Sequence, residues 1–460
     1  MTTRPLTLAT TLMRANARQY GMAVALVAII VLFQILTGGL LLTPLNVTNL
    51  IMQNSYILIL AIGMMLVIVT GHIDLSVGSV VAFTGAVSAI MLTSWGLPTV
   101  VVVPAALLLG ALIGAWQGFW VAYVRVPAFI VTLAGMLVFR GATLAVLGGE
   151  SIAPLPTSLR NMASGFLPDV EVLGLHLPTL LLGAAGAAAV VWIQWRSRAR
   201  DLRHELPTAP TAVTVLVSAV TAAVIMVFAY VLAQYNGLPL VGLLLVALIA
   251  GYSFVMRSTT AGRRVYAVGG SEQAAALSGI RTRRTTFWVF VNMGVLSALA
   301  GLVFTGRLNA ATPGAGTMFE LDAIAAAFIG GASAAGGVGT VVGAVVGALV
   351  MGVLNNGMSL IGLGVDWQQL IKGLVLLLAV AFDIYNKRRV TVGRTLDVRP
   401  PAGRPGEPAR RRTTRPRPGR EVSARGPEDR RAGERTASPH GVPPGRRRQR
   451  PRETPRRPYW

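Results

Sequence analysis

GHIDLSVGSVVAFTGAV, at residues 71–87, places an aspartate and several small polar side chains between two long apolar segments. In hydrocarbon, a charge or an irregular backbone survives only where protein or a water-lined cavity covers it. The stretch therefore marks a covered break or a pathway inside a membrane body, with Asp74 as its charge. Outward from it the chain reads as an all-α integral membrane protein. A polytopic bundle of about ten to twelve transmembrane helices is predicted, some of them broken or half-length.

Composition narrows the class further. The 460 residues are 53% hydrophobic and only 13% charged, the profile of an integral membrane protein and not of a large soluble enzyme. The absence of cysteine removes disulfides, thiolate metal ligands and cysteine nucleophiles together. Histidines occur only at 72, 176, 204 and 440, a scatter that argues against a histidine metal centre. The net charge of +23 resembles a nucleic-acid signature until it is mapped, for +16 of it lies from Lys387 onward. The chain thus divides into a cytoplasmic start (1–20), a membrane body (21–386) and an Arg/Pro-rich tail (387–460).

A bilayer core takes roughly 20 apolar residues per helix. Such runs fall at 21–42, 50–70, 77–94, 99–122, 128–147, 176–195, 213–234, 237–256, 285–306, 338–361 and 368–385. A twelfth, half-length crossing is expected at 321–331, ended by GGASAAGGVG. Arginines of short loops stay on the cytoplasmic side. With twelve crossings Arg4, Arg14, Arg18, Arg125, the 196–203 group and the 257–284 group share one side, so both termini are predicted to be cytoplasmic. Glu320 and Asp322 then belong to an outer loop. Gly110, Gly114 and Gly118, like Gly343 and Gly347, repeat at the four-residue step that lets helices touch backbone to backbone. Packing within one chain is the favoured reading of that step, and a subunit-dimer face is the other. A weaker echo links GSVVA at 78–82 with GTVVG at 339–343, each opening a span after a break.

The basic loop at 257–284 has its own texture. Gly269 and Gly270 stop the preceding segment and Ser271 is a plausible N-cap. Glu272, Gln273, Ala274 and Ala275 favour a short helix, and Gly279 ends it. Such a helix is either a docking element for a partner protein or an interfacial linker.

At this point the residues resemble a family. The Gln273-Ala-Ala-x-x-x-Gly279 pattern is similar to the EAA-type coupling loop of importer permeases that dock on an ATP-binding-cassette subunit. GHIDLSVGS resembles the "GGIDLSVG" signature of the ribose, galactose and xylose importer permeases. So do VPAFIVTLAGMLVFRG (126–141), the 330–362 block and WQQLIKGLVLLLAVAFD (367–383). The extra pair of spans around RSRARDLRHELP looks most like the xylose branch. His72 stands where the signature has its second glycine. The resemblance implies an inner-membrane permease, working as a dimer. It receives a monosaccharide from an extracytoplasmic sugar-binding protein and is driven by a cytoplasmic ATPase. It implies no catalytic residue, metal or cofactor here, with ATP and its magnesium ion on the partner. Independently, the chain carries no G-x-x-x-x-G-K-[ST] loop to cradle a nucleotide.

For the pathway, Asp74 and Ser76 at the break are set against a loop-acid or N-cap role, the commoner use of such an acid. Asn355 and Asn356 reach either a neighbouring helix or a sugar hydroxyl, with the first commoner. Thr132, Gln53, Asn54, Trp116 and Asn292 share that ambiguity. Arg140 is read either as snorkelling to the outer interface or as partnering an acid elsewhere. Few acids are expected in mid-span, which suits a neutral polyol better than an ion and speaks against a proton relay.

The tail is too polar to fold and is expected to be disordered. It reads as an anionic-lipid adhesion segment or, favoured here, as unselected run-on translation. Without interleaved aromatics it gives no support for a nucleic-acid partner. Two rivals to the sugar importer remain open: an ion-coupled secondary transporter, and a branched-chain amino-acid importer permease.

Overall fold

A computed structural model describes residues 17–396, apart from 173, 207 and 209. Fifteen helices are present among these residues. The first five are α1 (Ala17–Leu36), α2 (Pro44–Val69), α3 (Val77–Thr93), α4 (Thr99–Phe119) and α5 (Ala128–Leu147). A π-helical turn, Trp120–Val124, extends α4. Then follow α6 (Thr157–Ser164) and a small antiparallel hairpin of β1 (Glu171–Val172) and β2 (Leu175–His176). Next come α7 (Leu177–Arg203), α8 (Thr211–Ala233), α9 (Leu240–Ser258), α10 (Thr260–Gly270) and α11 (Glu272–Leu277). The last four are α12 (Thr282–Leu308), α13 (Phe319–Ile329), α14 (Val341–Leu360) and α15 (Val365–Leu396). Eight of them are long and apolar enough to cross a membrane. The chain is an all-α polytopic membrane protein.

The core is built around α2, α12 and α14, whose most apolar stretches are 83%, 67% and 72% buried. By contrast α7 and α8 bury only 11% and 17% of theirs and form the rim. Small residues let the central helices close. A Cβ on Gly110 would strike the Gly294 carbonyl oxygen, and one on Gly114 would strike that of Phe290. Gly343 and Gly347 meet Gly330 and Ala326 in the same way. The four-residue glycine step is thus spent inside the chain, on the α4–α12 and α13–α14 contacts.

Differences from the expected spans have local causes. The first helix ends at Leu36, before residue 42, because Gly38 and Gly39 take left-handed φ of 61° and 96°. The half-length helix is present as α13, and three of the five glycines after it, Gly331, Gly336 and Gly337, are at positive φ. The last helix continues through Leu396, beyond the expected boundary at 386. Arginine and lysine are good helix formers, and the first proline is Pro400. The rest of the tail, and the start of the chain up to residue 16, lie outside the described residues.

Candidate functional site

Two helices open from breaks. After Val69 the chain runs without helix through residues 70–76, then α3 begins. After Leu308 it runs through 309–318 before α13 begins. The two helix starts meet: a Cβ on Gly78 would collide with the Gly316 carbonyl oxygen and with Glu320 Oε2, and one on Gly316 with the Gly78 carbonyl oxygen. Only glycine allows that approach. Helix N-termini carry partial positive charge and favour acids. Asp74 precedes α3, and Glu320 and Asp322 occupy the first turn of α13. The notable contact of GSVVA is therefore with the start of α13, although GTVVG does open α14.

Asp74 is 2% exposed. Its Oδ1 accepts from the Ser76 backbone N–H (2.9 Å) and the Ser76 hydroxyl (2.6 Å). Gln117 Nε2 on α4 donates to Ser76 Oγ at 2.7 Å. Thr132 on α5 donates to its own helix at Ala128 (2.9 Å) and reaches the Ile73 carbonyl at 3.5 Å. Gly135 leaves the space that Gln117 fills, since a Cβ there would lie 2.7 Å from Nε2. Asp74, Ser76 and Thr132 are thus brought together. Asp74 does not cap α3; it orients Ser76, one step before the helix. Gln117 was absent from the sequence reading. A glutamine in an apolar span offered a signal only through its depth.

Asn356 and Asn46 exchange amide hydrogen bonds across α14 and α2, at 2.9 and 3.1 Å. Asn356 therefore serves helix pairing. Asn355, one residue away, hydrogen-bonds Asp322, and its buried Oδ1 has no partner. Asp322 does not lie in an outer loop but in α13, 3% exposed and paired with Lys372 of α15 at 3.3 Å. Loop assignment by hydropathy missed α13's polar first turn. Arg140 is half-buried on α5. It donates to the carbonyls of Ala315 (2.6 Å) and Pro313 (3.5 Å), holding the segment ahead of α13.

The 257–284 loop forms two helices, and α10 was not foreseen. Ser271 caps α11 through its hydroxyl, which accepts from the Ala274 N–H at 3.2 Å. Gly279 takes φ +81° just after it, as a C-terminal glycine does. Glu272, Gln273 and Ala274 are exposed, Ala275 is buried, and Leu277 is 91% exposed. The loop grips the end of α2, where the first break begins, and the glycine segment after α13. A Cβ on Gly269 would overlap the Val69 carbonyl oxygen and crowd Gly337, whose N–H donates to that same oxygen at 2.8 Å. Tyr266 donates its hydroxyl to the Gly339 carbonyl at 2.8 Å. A cavity of about 700 Å³ lies between α11 and the 71–73 segment, lined by His72, Arg125, Glu272, Gln273 and Arg283 among others. Burial lowers the His72 imidazole's pKa and Glu272 opposes that in part, so the ring is neutral at pH 7.

Residues 46–380 match the model of a family described as branched-chain amino acid transport system / permease component. The chain belongs to this family of transport permeases. Among curated proteins, the xylose transport system permease of Escherichia coli K12 is 43% identical over 376 residues, 81% of this chain and 93% of that protein. The Haemophilus influenzae xylose permease is 41% identical, covering 82% and 98% of the two chains. The ribose import permease of Escherichia coli K12 is 36% identical, covering 75% and 86%. The chain is thus a monosaccharide-type permease that sits nearer these xylose relatives than the ribose one. It is a multi-pass protein of the inner membrane, and as a permease it is a transporter subunit, not an enzyme. No solved structure matches.

Proposed function

We propose that this chain is the membrane-spanning half of an ATP-driven monosaccharide importer, carrying a pentose such as xylose by alternating access. One observation carries the reading: the loop ending in α11 packs on the end of α2 and on the glycine break after α13 through Gly269, Gly337 and Tyr266. A force applied at that loop is delivered to the break after α2 and to the glycine segment after α13. ATP and magnesium bind a separate cytoplasmic ATPase that docks on Ser271, Glu272, Gln273, Ala274 and the Gly279 turn. An extracytoplasmic binding protein supplies the sugar, a second copy completes the permease, and both termini are cytoplasmic. Asp74, Ser76, Thr132 and Asn355 belong to the moving region, and Asn356 to its frame.

The test is uptake of labelled xylose, ribose and leucine in cells with and without the ATPase and binding protein. Sugar uptake that needs all three components supports the importer, and leucine uptake supports the amino-acid alternative. The Asp322–Lys372 pair favours a second reading, an ion-coupled carrier, because intramembrane charges serve such carriers. Uptake by this chain alone, lost when the proton gradient collapses, would select it.

A further inference from the structure

A cavity of about 920 Å³ lies between α9, α10 and α12, beside the turn that follows α11. Arg264 of α10 lines it, with Arg281 and Arg284 at the start of α12. All three are exposed, and among the described residues none has a side-chain hydrogen bond or an ion pair. No carboxylate lines this cavity, whereas Glu272 stands among the basic groups of the one beside His72. Three like charges with no acid between them leave a positive field that a bound anion relieves. Guanidinium groups match the oxygens of a phosphate in pairs.

The rest of the wall calls for an anion with an apolar body. Leu66, Met256 and Val289 are buried there, and Trp288 is 55% exposed. Both α9 and α12 are long and apolar enough to cross a membrane, and the cavity lies where α9 ends and α12 begins. That is the level of lipid headgroups, where tryptophan is enriched and basic pockets between spans take anionic lipid. Asn292 also lines the cavity. Tyr252 donates to its Oδ1, and its Nδ2 has no partner among the described residues, which leaves one donor for an ester or hydroxyl oxygen. A free phosphate ion has no apolar body for these side chains to cover.

We propose that this cavity holds the headgroup and upper acyl chain of an anionic phospholipid, with its phosphate on Arg264, Arg281 and Arg284. The proposal needs the membrane assignment alone and stands apart from the sugar and ATPase readings.

The full chain in neutral detergent is titrated with phosphatidylglycerol or phosphatidylcholine, and bound lipid is counted by mass spectrometry of the intact protein. Phosphatidylglycerol is expected to bind about tenfold more tightly. Arg264→Gln with Arg284→Gln should remove most of that preference. Arg257→Gln with Arg263→Gln removes equal charge from residues that do not line the cavity, and should leave the preference within about twofold. A second measurement needs no arginine variant. Phosphatidylglycerol with brominated acyl chains should quench tryptophan fluorescence more than brominated phosphatidylcholine, and Trp288→Phe should remove the difference. Equal binding of the two lipids overturns the site, as does an equal loss in both double variants. Displacement of bound lipid by millimolar inorganic phosphate would make this a free-anion site and overturn the lipid. Absence of lipid preference together with loss of ATPase co-purification in Arg264→Gln/Arg284→Gln would give the cavity to the partner protein, and so overturn the proposal while keeping the importer.

Discussion

At residue scale, Asp74 is held by donors, not by a counter-ion. Two of its hydrogen bonds come from Ser76, which Gln117 steadies from another helix. Removing a partner from a buried charge costs about 1–3 kcal/mol or more, because the group stays desolvated. Ser76→Ala is therefore expected to lower the thermal midpoint and reduce uptake, with Gln117→Leu acting in the same direction. Unchanged melting in both would mean that the network contributes nothing. The Asn46–Asn356 pair makes a sharper case. Either single leucine replacement orphans an amide, whereas the double replacement removes both. A double-mutant cycle on unfolding should return a favourable coupling of about 0.6–1.7 kcal/mol, the range for intramembrane amide pairs. These partners were not legible in the sequence. Asn46, Gln117 and Lys372 are polar residues within or beside apolar runs, and only folding says what each faces.

At element scale, α11 is a one-and-a-half-turn helix with a capped start and a glycine end, and both signals were readable in advance. Its burial was not. Ala274 is exposed but Ala275 is 4% exposed, so the two alanines test different things. Ala274→Asp and Leu277→Ser should abolish ATPase co-purification and cut uptake tenfold or more while membrane level and melting stay at wild type. Gly279→Val should cost about 1–2 kcal/mol through the left-handed φ alone. Normal uptake in Ala274→Asp and Leu277→Ser would remove the docking role from this helix. The neighbouring cavity predicts a pH effect. The His72 pKa is lowered by burial, so the folded chain stays neutral there where the unfolded chain gains a proton. Stability is then full above the unfolded value of about 6.5 and declines as pH falls through the lower folded value. Melting from pH 7 to pH 5 should fall more in the wild type than in His72→Gln. Parallel curves would show that Glu272, opposite, fully offsets the burial.

At the scale of the whole molecule, the half-length α13, the short capped helix α11 and a dense glycine-lined centre combine into one arrangement. The loop at 257–284 touches the end of α2 and the glycine segment after α13, and the start of α3 touches the segment ahead of α13 at Gly78 and Gly316. Gly269→Leu is expected to abolish uptake outright, since its side chain has no space beside Val69 and Gly337. The family match ends at residue 380. Truncation after Leu396 is expected to leave insertion and uptake at wild-type levels, and a loss of either would give the arginine-rich segment a role.

The sequence by itself determined the membrane class, the approximate position of the apolar helices, the half-length helix before GGASAAGGVG, and the caps of α11. Those follow from length, hydropathy and local backbone chemistry, which act over a few residues and need no partner. Only the tertiary structure decided that Asp322 lies inside the bundle against Lys372, that Arg140 clasps the segment ahead of α13, and that Asn356 faces Asn46 while Asn355 faces Asp322. The reason is physical. Whether a polar side chain in an apolar segment meets lipid, water or another polar group depends on which helix lies opposite, and that is set by contacts between residues as much as 310 positions apart.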